Sequence, residues 1–277
     1  MLNLQYIKAT TLQDAWFQTL FRILEEGSVF TIDRGSYEGQ KRLEFDWITV
    51  HIQHPNVTPL LPQIEAHHNI PNPVADDYLD DYLPYLMTGE LKPGESYTYG
   101  QRLCKAPIDV RWAGEYNNEY NKEILIQEDE VWENDNIIIT NNKKGNGVTY
   151  SEDFVSQIEL MIWTYKNKGY RNNQMILQVG QPSDMLLKDP PCLRSIDTRI
   201  QDGKLHFYPY FRSWDLWGGF PANLAGIQLL KEYCAAEIGV GDGEIIASSK
   251  GLHIYDYSFD LVKCLRMRDD MKLKGEI

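Results

Sequence analysis

No apolar run in this chain approaches the roughly 18 residues that a membrane-spanning helix needs, so no helical anchor is expected. Cysteine is sparse, and the four present (Cys104, Cys192, Cys234, Cys264) lie far apart with no paired spacing. That argues against a disulfide-built scaffold and fits reduced thiols. The opening stretch, MLNLQYIKATTLQDAW, lacks the charged-then-apolar plan of a secretory leader, so a cytoplasmic location is expected. Positive charge is in deficit: 27 Lys and Arg stand against 40 Asp and Glu, a net −13. General nucleic-acid binding draws on many neutralised phosphates and is therefore disfavoured. One small phosphorylated ligand needs only a few arginines, and Arg34, Arg42, Arg171 and Arg212 are candidates. Metal-ligand patterns are missing as well. His51 and His54 fall on opposite faces of a predicted strand, and His67-His68 are adjacent, which is poor chelate geometry. No metal site is expected, and no internal repeat is visible.

What the chain does have is core. Of its 277 residues 43% are hydrophobic and 12% aromatic, enough for a packed globular protein. The stretch from Asp189 to Asn223 organises the rest: DPPCLRSIDTRIQDGKLHFYPYFRSWDLWGGFPAN. Alternating apolar and polar residues flank Asp202-Gly203, which predicts a hairpin. Ile196, Thr198 and Ile200 would share one face of the first strand. Leu205, Phe207, Pro209 and Phe211 would share a face of the second. Folding back at that turn brings Cys192 beside Arg212. A cation next to a thiol favours the thiolate, the reactive form. The competing reading of Cys192 is a small buried apolar residue.

Around this hairpin the pattern predicts helices over Thr11 to Glu26, Asp76 to Gly89, Ser151 to Lys168 and Pro221 to Ile238, with a closing helix that carries Cys264. Thr11 and Ser151 would cap their helices, Gly239 would end the strongest one, and Pro84 should kink or shorten the second. Strands are predicted near Ser28, over Asp46 to Gln53, Met175 to Val179 and Glu244 to Ser248, and at Leu252 to Tyr255. Ser96 to Arg102 reads as extended, and Gly239 to Gly243 as a turn. Residues 103–150 are polar and turn-rich around short apolar runs, which predicts an inserted hairpin or lid within a single domain spanning 1–277.

Four motifs then stand in order: Pro-Pro-Cys at Pro190 to Cys192, Phe-Arg-Ser-Trp-Asp at Phe211 to Asp215, Gly-Phe-Pro-Ala-Asn at Gly219 to Asn223, and His-Ile-Tyr at His253 to Tyr255. In that order and at these intervals they resemble the thymidylate synthases, and the wording RSWDLWGGFPANLAG with SKGLHIYDY is most similar to the archaeal-type branch. The resemblance implies one α+β domain, a large twisted mixed sheet with helices on one face. It implies C5 methylation of dUMP to dTMP, with methylene-tetrahydrofolate or methylene-tetrahydromethanopterin as cosubstrate. Cys192 would be the nucleophile. Arg212 and Ser213 would hold the nucleotide phosphate, as would Arg34, with Arg171 reaching from a partner subunit. Asn223 would read the base, because a carboxamide both donates and accepts. His253 and Tyr255 would bind the sugar, and Asp215 the pterin. The family's catalytic glutamate has no clean counterpart: alignment on Gly89 places Tyr82 there, and the adjacent Asp81 is the expected acid/base substitute. A homodimer is implied, a monomer being the alternative if Arg171 does not reach a neighbouring site. The familiar C-terminal closing segment is not matched, which opens a pyrimidine nucleotide hydroxymethylase as the alternative reaction. Two further readings are a Cys-His hydrolase and a non-catalytic nucleotide-binding regulator.

Overall fold

The computed structural model describes residues 2–33, 37–75, 77–107, 132–134, 137–139 and 154–275. The chain divides into two compact units, Met1–Pro84 with Tyr170–Ile277, and Tyr85–Gly169. In chain order the strands are β1 (Leu4–Ala9), β2 (Ser28–Thr31), β3 (Lys41–Glu44), β4 (Trp47–Ile52), β5 (Ala106–Pro107), β6 (Trp132–Asn134), β7 (Ile137–Ile139), β8 (Phe154–Val155), β9 (Ile176–Gln178), β10 (Leu193–Gln201), β11 (Lys204–Phe211), β12 (Trp214–Asp215), β13 (Gly241–Lys250) and β14 (Leu252–Tyr255). The helices are α1 (Leu12–Glu26), α2 (Tyr78–Leu86), α3 (Tyr99–Cys104), α4 (Gln157–Lys168), α5 (Gly219–Ile238) and α6 (Phe259–Leu265).

The larger unit is built on a six-stranded mixed sheet in the order β1-β4-β13-β11-β10-β9. The hairpin forms as its turn chemistry dictates. Asp202 and Gly203 both take positive φ, +52° and +70°, the geometry that closes a two-residue turn. Gln201 pairs with Lys204 and Ile200 with Leu205. The apolar sets of both strands point the same way and are buried. In β4, Ile48, Val50 and Ile52 alternate inward at 0% exposure. Helices α1 and α5 touch one another and both pack on this sheet, so they cover the same face. Thr11 caps α1 by accepting from the Asp14 N–H, and Trp16 on its buried stripe donates its indole N–H to the Leu216 carbonyl at 2.8 Å.

A second sheet, β12-β14-β3-β2, carries the short strand Trp214–Asp215 parallel to β14. Gly239 takes φ +84° and ends α5, as expected. The strand that follows starts earlier than expected, at Gly241, because Gly243 can lie close against β11 where a side chain could not.

In the smaller unit α4 starts at Gln157 with Ser156 as its cap, not at Ser151. The reason is pairing: Phe154–Val155 is taken by β8, antiparallel to β5. Tyr99–Cys104 is helical where an extended segment was expected. Thr98 caps it by accepting from the Gln101 N–H at 2.8 Å, and Gly100 fits against the Tyr85 and Thr88 carbonyls where a Cβ would not. Most of the predicted 103–150 insertion lies outside the described residues.

Candidate active site

A cavity of about 880 Å³ opens in the larger unit, and six of the expected site residues line it: Cys192, Arg212, Ser213, Asp215, His253 and Tyr255. The fold brings them together by three local devices. The first is the hairpin, whose base holds Cys192 against Arg212: the Arg212 N–H donates to the Cys192 carbonyl at 2.9 Å. The Arg212 guanidinium donates to the carbonyls of Pro190 and Pro191, at 2.5 and 3.1 Å, and lies 3.5 Å from Asp189. The two prolines before the cysteine thus present carbonyls that aim the arginine.

The second device is the start of α5. The Asp215 carboxylate accepts from the backbone N–H groups of Trp217, Gly218 and Gly219 at 3.0 to 3.1 Å, which ties down the turn into the helix while the residue still lines the cavity. The third is the pairing of β14 with β12 and β3. It buries His253, 3% exposed, and leaves Tyr255 half-buried at the wall. His253 Nδ1 lies 2.8 Å from the Gly251 carbonyl. A carbonyl only accepts, so Nδ1 carries the proton and Nε2 is left as an acceptor. Nε2 is buried with no partner. Burial, together with the Arg42 charge, lowers the ring to about 4 and keeps it neutral. A neutral imidazole offering one buried acceptor suits a hydroxyl donor, as on a sugar.

The thiol does not behave as the simple arginine argument expects. Burial pushes Cys192 above its ordinary value, Arg212 pulls it down, and Asp189 and Asp215 push it up again. The net direction is upward, because partial burial of the sulfur outweighs one guanidinium whose own donors face proline carbonyls.

Sequence reasoning offered Arg42 only as one of four scattered phosphate candidates and passed over its cavity partner Glu44. They stand two apart on β3, hence on one face, and pair at 2.9 Å. Burial raises the Glu44 carboxyl to about 7, against the opposing pull of Arg42. The available signal was the alternation Arg42-Leu43-Glu44, with Leu43 at 0% exposure on the other face.

The other expected residues stand elsewhere. Asn223 is half-buried at the start of the second turn of α5 and is not part of the cavity wall. Its carboxamide lies between Trp214 Nε1, at 3.1 Å, and the Tyr82 hydroxyl, at 2.7 Å. Asp81 is exposed on α2, and the buried side chain next to it is Tyr82. Arg171 is exposed before β9 and does not line the cavity. Arg34 lies outside the described residues. Among the described residues no cluster of His, Cys, Asp or Glu could hold a metal ion, and no helix is long and apolar enough to cross a membrane.

Comparison with known proteins bears on the family of the chain. The family model described as thymidylate synthase matches residues 98–274. A protein of Methanosarcina acetivorans named "Putative thymidylate synthase" is 30% identical over 257 residues, covering 93% of this chain and 92% of its own length. A protein of the same name from Methanosarcina barkeri is 29% identical over the same shares. One from Methanothermobacter thermautotrophicus is 28% identical over 160 residues, 56% of this chain and 66% of its own length.

Proposed function

Because this chain belongs to the thymidylate synthase family, we propose that it methylates C5 of dUMP to give dTMP, taking the one-carbon unit from a methylene-tetrahydropterin. One observation carries the reading: a nucleophile, an anion-binding guanidinium and an unfilled hydroxyl acceptor, Cys192, Arg212 and His253, converge on a single cavity. Those three groups match the three parts of a pyrimidine deoxynucleotide. The Cys192 sulfur adds to C6 of the ring and pushes electron density toward C5 and O4. C5 then takes the methylene carbon and loses its proton; for a methyl product the tetrahydropterin leaves and gives a hydride to that carbon, ending at the dihydro level, as the sulfur departs. Arg212 and Ser213 receive the 5′-phosphate, with Arg34 beside them. His253 and Tyr255 receive the 3′-hydroxyl, Asn223 reads the uracil edge, and Asp215 faces the pterin.

The purified chain, mixed with 5-fluoro-dUMP and methylene-tetrahydrofolate or methylene-tetrahydromethanopterin, is expected to gain the mass of a covalent ternary complex, and Cys192→Ser is expected to form none. A wild-type chain that traps no adduct with either donor refutes the reading. With dUMP itself, a methyl rather than a hydroxymethyl product separates methylation from hydroxymethylation.

The face of the six-stranded sheet opposite α1 and α5 supports a homodimer. Tyr6 is 58% exposed there, and the stacked pair Trp47 and Tyr210, with ring centroids 5.6 Å apart, is only half-buried. Exposed aromatic area on a sheet face is commonly covered by a partner. In such a dimer the exposed Arg171 would serve a neighbouring subunit.

A further inference from the structure

The Asn223 carboxamide has a fixed orientation, and the chemistry of its neighbours says which one. An indole N–H donates and never accepts. The amide atom 3.1 Å from Trp214 Nε1 must therefore be the oxygen. The nitrogen then faces Tyr82, and donates to its hydroxyl at 2.7 Å. Turning the amide over would set an NH2 group against the indole N–H, donor against donor.

Both neighbours are held in place. Trp214 is 2% exposed and lies flat on Phe211, ring centroids 3.9 Å apart and 6° from parallel, with Phe220 on its other contact at 4.5 Å. Tyr82 is 8% exposed and stacks on Tyr78. Gly219 lies close by: a Cβ built there would stand 3.3 Å from the Asp215 Cβ and 3.9 Å from Asn223 Oδ1. The residues flanking Trp214, Ser213 and Asp215, both line the cavity.

We propose that Trp214, with Tyr82 on the opposite side, locks the Asn223 carboxamide in one orientation and thereby sets the choice of uracil over cytosine. The inference rests on the functional reading above. A uracil edge presents O4 as acceptor and N3–H as donor, which an amide meets with its N–H and its oxygen. A cytosine edge presents the reverse pair and needs the reverse orientation, which Trp214 forbids. The same placement puts O4 on the Tyr82 side of the amide. Tyr82 thus stands beside the atom that gathers charge when sulfur adds to C6, while Asp81 is exposed on its helix. Trp214 acts through Asn223 and is a positioning residue.

Calorimetric titration of the full chain with dUMP and with dCMP, at one pH and salt concentration, reads the choice directly. The wild type is expected to prefer dUMP. Trp214→Phe keeps a ring on Phe211 but loses the N–H, and is expected to compress the dUMP to dCMP affinity ratio about tenfold, the size of one hydrogen bond. Arg212→Ala is expected to weaken both nucleotides and leave the ratio unchanged. Should Trp214→Phe fail to fold, benzothienylalanine at position 214 replaces the N–H by sulfur in the same shape and is expected to compress the ratio equally. A wild-type ratio in whichever of these variants folds overturns the inference and leaves the nucleotide site standing. A wild type that binds neither nucleotide overturns the site reading and the inference with it.

Discussion

At the scale of single residues, the sulfur and the buried carboxylate respond to pH in ways that follow from their surroundings. Burial raises the Cys192 thiol, and Arg212 offsets only part of the rise. Only the thiolate reacts with iodoacetamide. Alkylation of Cys192 is therefore expected to climb at a higher pH than for a free cysteine, and Arg212→Ala is expected to move that midpoint higher still. An unchanged midpoint would show that the guanidinium does not act on the sulfur. Glu44 is a second test. Its folded pKa is raised from 4.5 to about 7, so the folded chain holds this proton more tightly than the unfolded one. The stability it contributes is complete below 4.5 and is lost as pH rises to about 7. His253 has the opposite sign: its pKa is lowered from 6.5 to about 4, so its share is lost as pH falls across that window. Glu44→Gln removes only the first effect. The Tm of the variant relative to the wild type is expected to rise steadily between pH 4.5 and 7, and parallel curves in a thermal melt series would refute the assignment.

At the scale of elements, β13 and α5 meet at a place where only glycine fits. A Cβ at Gly243 would lie 2.5 Å from the Leu205 carbonyl and 2.9 Å from His206 Nδ1, where the register of β13 against β11 slips. Lys231 of α5, 0% exposed, reaches the Gly243 carbonyl and pairs with Asp242 at 3.0 Å. Gly243→Ala is expected to cost about 1–3 kcal/mol through forced backbone shifts, read from urea unfolding; an unaltered midpoint would mean that the strand gives way freely. The same segment shows where local reading stops. Gly239 was legible as a helix end because a left-handed residue is needed there. Gly241 and Gly243 looked like a turn because glycine is rare inside strands, and the close approach of β11 explains Gly243. Ser156 caps α4 for a similar reason: strand pairing with β5 claimed Phe154 and Val155 just before it. The hairpin was fully legible, since turn type and alternation reinforce each other.

At the scale of the whole molecule, the half-exposed aromatics on the outer face of the large sheet carry the expectation of self-association. Sedimentation equilibrium is expected to give twice the chain mass of 32.2 kDa, and Tyr210→Lys is expected to shift the chain toward monomer by burying a charge in the interface. A wild-type monomer at all concentrations would remove the dimer, and with it the role of Arg171 toward a partner.

The order of residues along the chain was enough for the hairpin, the adjacency of Cys192 and Arg212, the helix ends at Thr11 and Gly239, and the family. Each of these rests on residues near one another in the chain, or on motif order, and both survive in one dimension. Packing set the state of the sulfur, the presence of Arg42 and Glu44 in the cavity, and the clamp of Trp214 and Tyr82 on Asn223. These depend on burial and on contacts between residues as far apart as Tyr82 and Asn223. Desolvation and hydrogen-bond direction are properties of a packed interior, and no pattern along the chain encodes which side chains will share it.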